Sequence, residues 1–496
     1  MSITSVFDAA RDGWWFKNWG KAGFSWDLFH ETYLGINPTE DCVRAPLDCA
    51  FYEIFKNCGQ LGNCGGMSLL ALALFKYGGY MGFCGPAPFY SGTVGADSEE
   101  LQDAIHVLQA RQFSAHGIEN FIDTVNAGNL NNAAAAMNKV RACLGSGDYA
   151  VLCIATDAIG GDAHTVIPYA IEEKPSGYPA GTKALLIWDC NYPYNQYPGY
   201  YANQNNRLII RSAFNWEYLA GAGTGEKVVQ YRGSNNGWCF AVPMSVILHK
   251  ARHPMTLDVV FDTLLTAFLS GPGAATVQIE DEQGRRLYTD AGPVRTFETD
   301  PNRRLPDCVR WPWYGQNGRG APPGDLHFLR RRGGVGLTFT VEGADWRLLH
   351  TQGGNVIEVE AQSKRRARDT VRVSGFGGPV QTVEVQVGVA KTLHVQQLRM
   401  WTRDGGWRAM QVQNARVSDE RLTVRSTGDL HALEVSGGRK KVDFDVDLKE
   451  YRDESLAARS VGTHTTSAGH MVRLAPEDWM RLEQTDIRTE RIRYTR

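Results

Sequence analysis

The sequence predicts an α+β domain in the first half of the chain and an all-β architecture in the second. Helical and strand-like patterns form separate blocks up to about residue 254, and two-residue alternation takes over after it. With 496 residues, 43% of them hydrophobic, the chain is long enough to bury several cores.

The first half begins its regular structure with "GMSLLALALFKYGG", an apolar helix closed by glycines. "DSEELQDAIHVLQARQF" and "NLNNAAAAMNKVRACL" predict two more helices, each opened by a residue of capping type. "DYAVLCIAT", "HTVIPYAIEE" and "KALLIWDC" are short apolar runs between Gly- and Pro-rich turns, which predicts strands. Beyond "ILHKARHPM", segments such as "GVGLTFTVEG", "NVIEVEAQ", "QTVEVQVG" and "RLTVRST" alternate apolar and polar residues at the spacing of β-sandwiches. The expected division is residues 1–254 (α+β), 255–355 and 356–450 (two sandwiches), and a charged tail, 451–496, with a short helix at "APEDWMRLEQ".

A formal net charge of −2 gives no pull toward nucleic acid or anionic membrane. No apolar run is long enough to span a bilayer, and the N-terminus lacks a signal-peptide core. A cytoplasmic protein is the expectation, although a specialised secretion system would leave no such mark. Nine of the ten cysteines precede residue 240, without a C-x-x-C pair or a histidine pair at ligand spacing. That pattern predicts reduced thiols, no metal and no cofactor.

The chemistry concentrates in "NCGQLGNCGGMSLL". Cys64 stands where the first apolar helix starts, and unpaired N–H groups and the helix dipole there favour a thiolate. Its own N–H, with Gln60 or Asn57 as a side-chain donor, would face a developing oxyanion. Cys58 is the alternative thiol, set before the loop. If "HTVIPYAIEE" and "KALLIWDC" form a hairpin folded about residues 177–178, paired positions sum to about 355. His164 then lies opposite residue 190 or 191, with Asp189 or Asn191 beside its ring and Asp162 as a competing partner. A nucleophile, a base and an orienting group are thereby assembled.

Cys64 on the first helix, His164 about a hundred residues on, and Asp189 or Asn191 on the next strand resemble the papain-like cysteine peptidase superfamily. "GNCGGMS" looks like its nucleophile segment, and "WDCNYP" is similar to the Asp-bearing strand end of its bacteriocin-processing and transglutaminase-like branches. The resemblance covers residues 57–191 and implies a helical lobe carrying the nucleophile and a sheet lobe carrying His and Asp. It differs from papain at Cys58, where papain has its oxyanion glutamine, and at Gly65, where papain has an aromatic residue.

The resemblance implies a peptidase that acts on a protein or peptide amide through a Cys64 thioester. Transglutaminase- or deamidase-type transfer by the same residues is the alternative, and a non-catalytic binding protein is the alternative from another class. The β-rich half is expected to recognise substrate or a protein partner. Gly65 and Gly66 are candidates for close approach of substrate backbone. Tyr192 and Tyr194, in the loop "NYPYNQYPGYYANQNN", with Trp216 and Trp238, are candidates for the walls of the cleft.

Overall fold

A computed structural model of the chain describes residues 3–4, 7–21, 23–56, 58–60, 62–90, 98–158, 160–253, 264–270, 276–288, 298, 300, 302–305, 308–311, 325–330, 336–352, 354–375, 378–400, 406–418, 420–427, 429–452, 454–479 and 481–491. These divide into two compact units. One lies within Met1–Glu40 and Phe51–His253, the other within Asp41–Ala50, Pro254–Trp311 and Pro323–Arg496.

Along the first unit come β1 (Ile3–Thr4), α1 (Trp26–Thr32), α2 (Pro46–Phe55, entering from the other unit's segment) and α3 (Cys64–Tyr77). A small hairpin, β2 (Gly79–Tyr80) and β3 (Phe83–Cys84), precedes α4 (Glu99–Arg111), α5 (Ala115–Asn126) and α6 (Ala133–Ser146). The main sheet follows with β4 (Ala150–Ile154), β5 (His164–Glu172), β6 (Lys183–Trp188), β7 (Arg207–Ile210), β8 (Trp216–Ala220), β9 (Val229–Arg232) and β10 (Cys239–Pro243). Short helices α7 (Pro198–Ala202) and α8 (Met244–Ile247) flank them. Its order is β10-β4-β5-β6-β7-β8-β9, antiparallel throughout, with β1 beside β5.

Helix starts follow the capping signals. The side chains of Ser98, Ser114 and Asn132 accept N–H groups in the first turns of α4, α5 and α6. α3 ends at Gly78, whose φ of +70° needs a residue without a Cβ. α1, α2 and α5 are absent from the expected helices, so Cys64 opens the third helix rather than the first; in α5, Ile118, Phe121, Ile122 and Val125 repeat at helical spacing and are buried.

α3 is the central helix, buried from Cys64 through Leu74. It approaches α4 so closely that a Cβ on Gly66 would lie 1.9 Å from the Ile105 carbonyl oxygen. Against the sheet, Ser68 Oγ donates to Thr165 O at 3.3 Å, which fixes α3 beside the start of β5. A core of α6 residues, including Met137 and Val140, packs on sheet residues Leu152, Val166, Leu185 and Tyr218. The aromatic N-terminal segment packs onto this unit, with Trp14 fully buried and its Nε1 donating to Met67 O.

The β5–β6 hairpin has the predicted register. Ile167 pairs with Trp188 and Pro168 with Ile187, each summing to 355. Tyr169 is then an extra residue, and from Ala170↔Leu186 outward the pairs sum to 356.

In the second unit two large antiparallel sheets replace the expected pair of separate sandwiches. A nine-stranded sheet runs Cys308–Trp311, Asp325–Arg330, Leu264–Ser270, Trp346–Gln352, Asn355–Gln362, Lys391–Met400, Trp407–Val417, Val442–Arg452, Ser455–Thr466. An eight-stranded sheet runs Thr276–Asp281, Leu337–Gly343, Ala367–Ser374, Val380–Gln386, Arg421–Thr427, Leu433–Gly437, His470–Pro476, Thr485–Arg491. Trp346–Gln352 and Asn355–Gln362 are hydrogen-bonded neighbours, so no division falls at residue 355. Buried polar bonds join the sheets, among them Lys391 Nζ to Asp369 Oδ2 (2.8 Å) and Gln397 Nε2 to Val424 O (3.3 Å).

The expected C-terminal tail is also strand. Ser455–Thr466 is mostly exposed, so burial imposes no alternation on its sequence, and "APEDWMRLEQ" forms the end of a strand and a 3-10 turn at Leu482–Gln484. Cys42 and Cys49 form a disulfide, against the expectation of reduced thiols, because their Cα atoms lie 5.5 Å apart across one turn of chain. No helix of the described residues is long and apolar enough to cross a membrane.

Gly66→Ala should therefore destabilise the protein by about 1–3 kcal/mol, because the new methyl meets α4 backbone. Denaturant unfolding measures this, and an unchanged midpoint would show that α3 and α4 have room to part.

Candidate active site

Three elements converge on Cys64. α3 presents the thiol at its first residue, β5 presents His164 at its first residue, and Asp189 follows directly on β6. All three are buried, with exposures of 4%, 6% and 0%. His164 Nε2 and Asp189 Oδ1 are 2.8 Å apart, so the ring donates Nε2–H to the carboxylate and turns its other nitrogen toward the sulfur. The His164 ring and the Cys64 thiol lie close enough to shift each other's ionisation toward the charged forms.

Asp189 is held as an anion. Its Oδ1 accepts the backbone N–H of Asn191 and its Oδ2 accepts the hydroxyl of Tyr218, both at 2.8 Å. Tyr218 in turn bonds the Tyr200 hydroxyl at 2.7 Å. Burial alone would raise the carboxyl, but the His164 charge and these donors hold it below its ordinary range. Asn191, the other candidate for orienting the ring, places its Nδ2 3.3 Å from His164 Nε2, where a second donor cannot serve an N–H already given to Asp189. Asp162 is exposed and sits at φ +44° in the turn before β5.

The electrostatics favour an ion pair. Burial opposes charge on His164, yet Asp189 and Cys64 outweigh it and raise the imidazole to about 10. Burial likewise pushes Cys64 up, and the His164 charge, its hydrogen bond, and donors from the Thr165 backbone and hydroxyl bring it below an ordinary thiol. The helix start adds to this.

Cys58 provides an internal contrast. Its Sγ lies 3.8 Å from Nε2 of His106, a second buried Cys–His contact. There burial lowers His106 to about 4 and raises Cys58 well above its usual range. Among the described residues the His106 Nδ1 has no hydrogen-bond partner, and the charge of Lys21 adds to burial against the weaker pull of Asp103. At Cys58 and His106 burial works against charge on both groups, whereas at Cys64 and His164 both shifts run toward the charged forms.

The remaining candidates separate. Gly65 and Gly66 serve helix packing: their missing Cβ atoms make room for Gln112 Nε2 and for Ile105 O, each 1.9 Å away. Gly66 N–H is taken by Gln109 Oε1 at 3.0 Å. Trp216 and Trp238 belong to the core rather than to a cleft, their indole N–H groups donating to Asn131 O and Ala158 O. Tyr192 is buried against Tyr200 and Tyr197, and Tyr194 is half-buried beside Tyr201. Gln60 is half-buried in the turn before α3, and Asn57 lies outside the described residues. Thr165, Tyr218 and Tyr200 stand outside the expected site residues. Only Thr165, next to His164, carried a local signal.

His164, Asp189 and Cys190 bring one ligand atom each to within 4.8 Å of one another. The histidine and aspartate atoms already bond each other, and both side chains are buried. No known protein family, curated protein or solved structure matches the chain.

Tyr218→Phe removes a donor from a buried carboxylate and should cost about 1–3 kcal/mol at pH 7. Asp189 is depressed in the folded state, so its contribution is present above its unfolded pKa and lost as pH falls through the folded one. The penalty should accordingly shrink near pH 3, as read by denaturant unfolding at both pH values. An equal penalty at both would separate the hydroxyl from the carboxylate charge.

Proposed function

We propose that the chain is a cysteine-nucleophile acyl-transfer enzyme of papain-like type, a peptidase hydrolysing amide bonds of a protein or peptide. The β-rich unit is assigned to recognition of substrate or a protein partner. The observation that carries this reading is the convergence of Cys64, at a helix start, with His164, whose Nε2 is bonded to Asp189 Oδ1 at 2.8 Å.

The thiolate attacks the carbonyl carbon, forming the C–S bond while the carbonyl electron pair moves onto oxygen. When that pair returns, the C–N bond breaks and the leaving amine takes the proton from the His164 imidazolium. Neutral His164 then removes a proton from water as its oxygen adds to the thioester. Collapse expels the Cys64 thiolate and restores the ion pair. Asp189 keeps the ring oriented and stabilises its charged form throughout. These steps need no metal or cofactor.

Accessibility and ionisation make opposite demands, which gives a clean test. Cys84 is exposed and Cys64 buried among the eight free cysteines. Near pH 6.5, iodoacetamide should nonetheless label Cys64 first, by at least about tenfold, because only the thiolate reacts. His164→Ala should abolish the advantage and move the Cys64 pH profile up toward that of an ordinary thiol. Peptide mapping by mass spectrometry reads both, and preferential labelling of Cys84 would sink the enzyme reading.

Peptides incubated with the protein and a free amine should yield cut chains, with loss of product in Cys64→Ala. A new isopeptide or a deamidated side chain in place of cleavage would assign the transferase or deamidase alternative instead.

A further inference from the structure

The nucleophile turn holds a side-chain donor that comes from far away in sequence. Asn18 is fixed at two points. Its backbone N–H donates to Cys190 O at 3.0 Å, between Asp189 and Asn191. Its side-chain Oδ1 accepts the N–H of Asn63 at 2.7 Å, directly before Cys64. An amide whose oxygen is committed to Asn63 must present its nitrogen elsewhere, and Nδ2 lies over Gly62. A Cβ built on Gly62 would sit 2.8 Å from that nitrogen, so the glycine is what lets the amide rest on the turn. Asn18 is half-buried.

We propose that Asn18 Nδ2 is the side-chain donor that, with the Cys64 backbone N–H, holds the oxyanion formed when the Cys64 thiolate adds to a carbonyl. The assignment rests on the acyl-transfer reading above. It takes the role from Gln60, for which no hydrogen bond fixes the side chain among the described residues. A donor is effective here only if held in place before charge develops on the oxygen. Asn18 meets that condition through bonds to both sides of the site: the turn carrying Cys64 and the turn carrying Asp189. The electron pair that moves from the carbonyl onto oxygen meets both N–H groups, then returns when the leaving group departs.

Two reagents separate this role from mere bracing. p-Nitrophenyl acetate acylates Cys64 through an oxyanion and expels p-nitrophenolate, which needs no proton. Iodoacetamide alkylates Cys64 by displacing iodide and forms no oxyanion. Both rates are measured for wild type, Asn18→Ala and Asn18→Asp, with thermal unfolding as a check of the fold. Asn18→Asp keeps an oxygen to accept the Asn63 N–H. The ratio of acylation to alkylation should fall by about 10²–10³-fold in both variants.

A ratio within about threefold of wild type in a folded variant overturns the proposal. So does a parallel loss of both reactions, which would make Asn18 a brace only. The same fall in Gln60→Ala, with the Asn18 variants unaffected, returns the role to Gln60. Failure of the parent reading shows separately: wild-type Cys64 would react with iodoacetamide no faster than Cys84 at neutral pH, and this assignment would fall with it.

Discussion

The hydrogen bond from His164 Nε2 to Asp189 Oδ1 is the contact on which the site depends. It selects the ring nitrogen that faces Cys64, and it supplies the negative charge that makes a buried imidazolium tolerable. It exists because β5 and β6 are adjacent antiparallel strands whose register sets residue 164 across from the 189–191 turn. The Tyr218 hydroxyl and the Asn191 N–H complete the carboxylate's shell, so the charge is buried with its hydrogen bonds in place.

The neighbouring Cys58–His106 contact measures what that carboxylate does. Both histidines are buried, and both stand close to a thiol in the same unit. Desolvation dominates at His106 and lowers the ring to about 4; at His164 Asp189 and Cys64 outweigh it and raise the ring to about 10. The folding unit thus contains two thiol–imidazole contacts, of which only the one at His164 has a carboxylate hydrogen-bonded to the ring. Proximity of Cys to His is insufficient for ionisation, and the third group decides the outcome.

Much of this was legible in the sequence because it depends on local rules. Glycines and an apolar run marked the start of α3, and a turn-rich segment between two apolar runs gave the hairpin register to within one residue. Asn18, Tyr218 and Tyr200 were not legible, because their roles arise from chain crossings that no local pattern encodes. The tryptophans misled for a related reason: an aromatic residue near the site in sequence can equally well face the core, and Trp216 and Trp238 do. In the β-rich half, alternation marked individual strands but not their partition. A sheet that continues through residue 355 carries the same two-residue period on both sides. The exposed strand Ser455–Thr466 lacked even that signal.

The extra residue at Tyr169 divides the β5–β6 hairpin into two stretches of different register. The stretch nearest the site is aligned by its own ladder and by β4, whose Ile154 pairs with His164. The distal stretch and its connecting turn lie beyond the bulge. Changes in length around residues 173–182 can then be absorbed at the outer end, leaving the alignment of His164 with the 189–191 turn intact. The hairpin combines a fixed alignment at one end with freedom for insertions at the other, a division of labour through which new surface features can be added without retuning the alignment of the site.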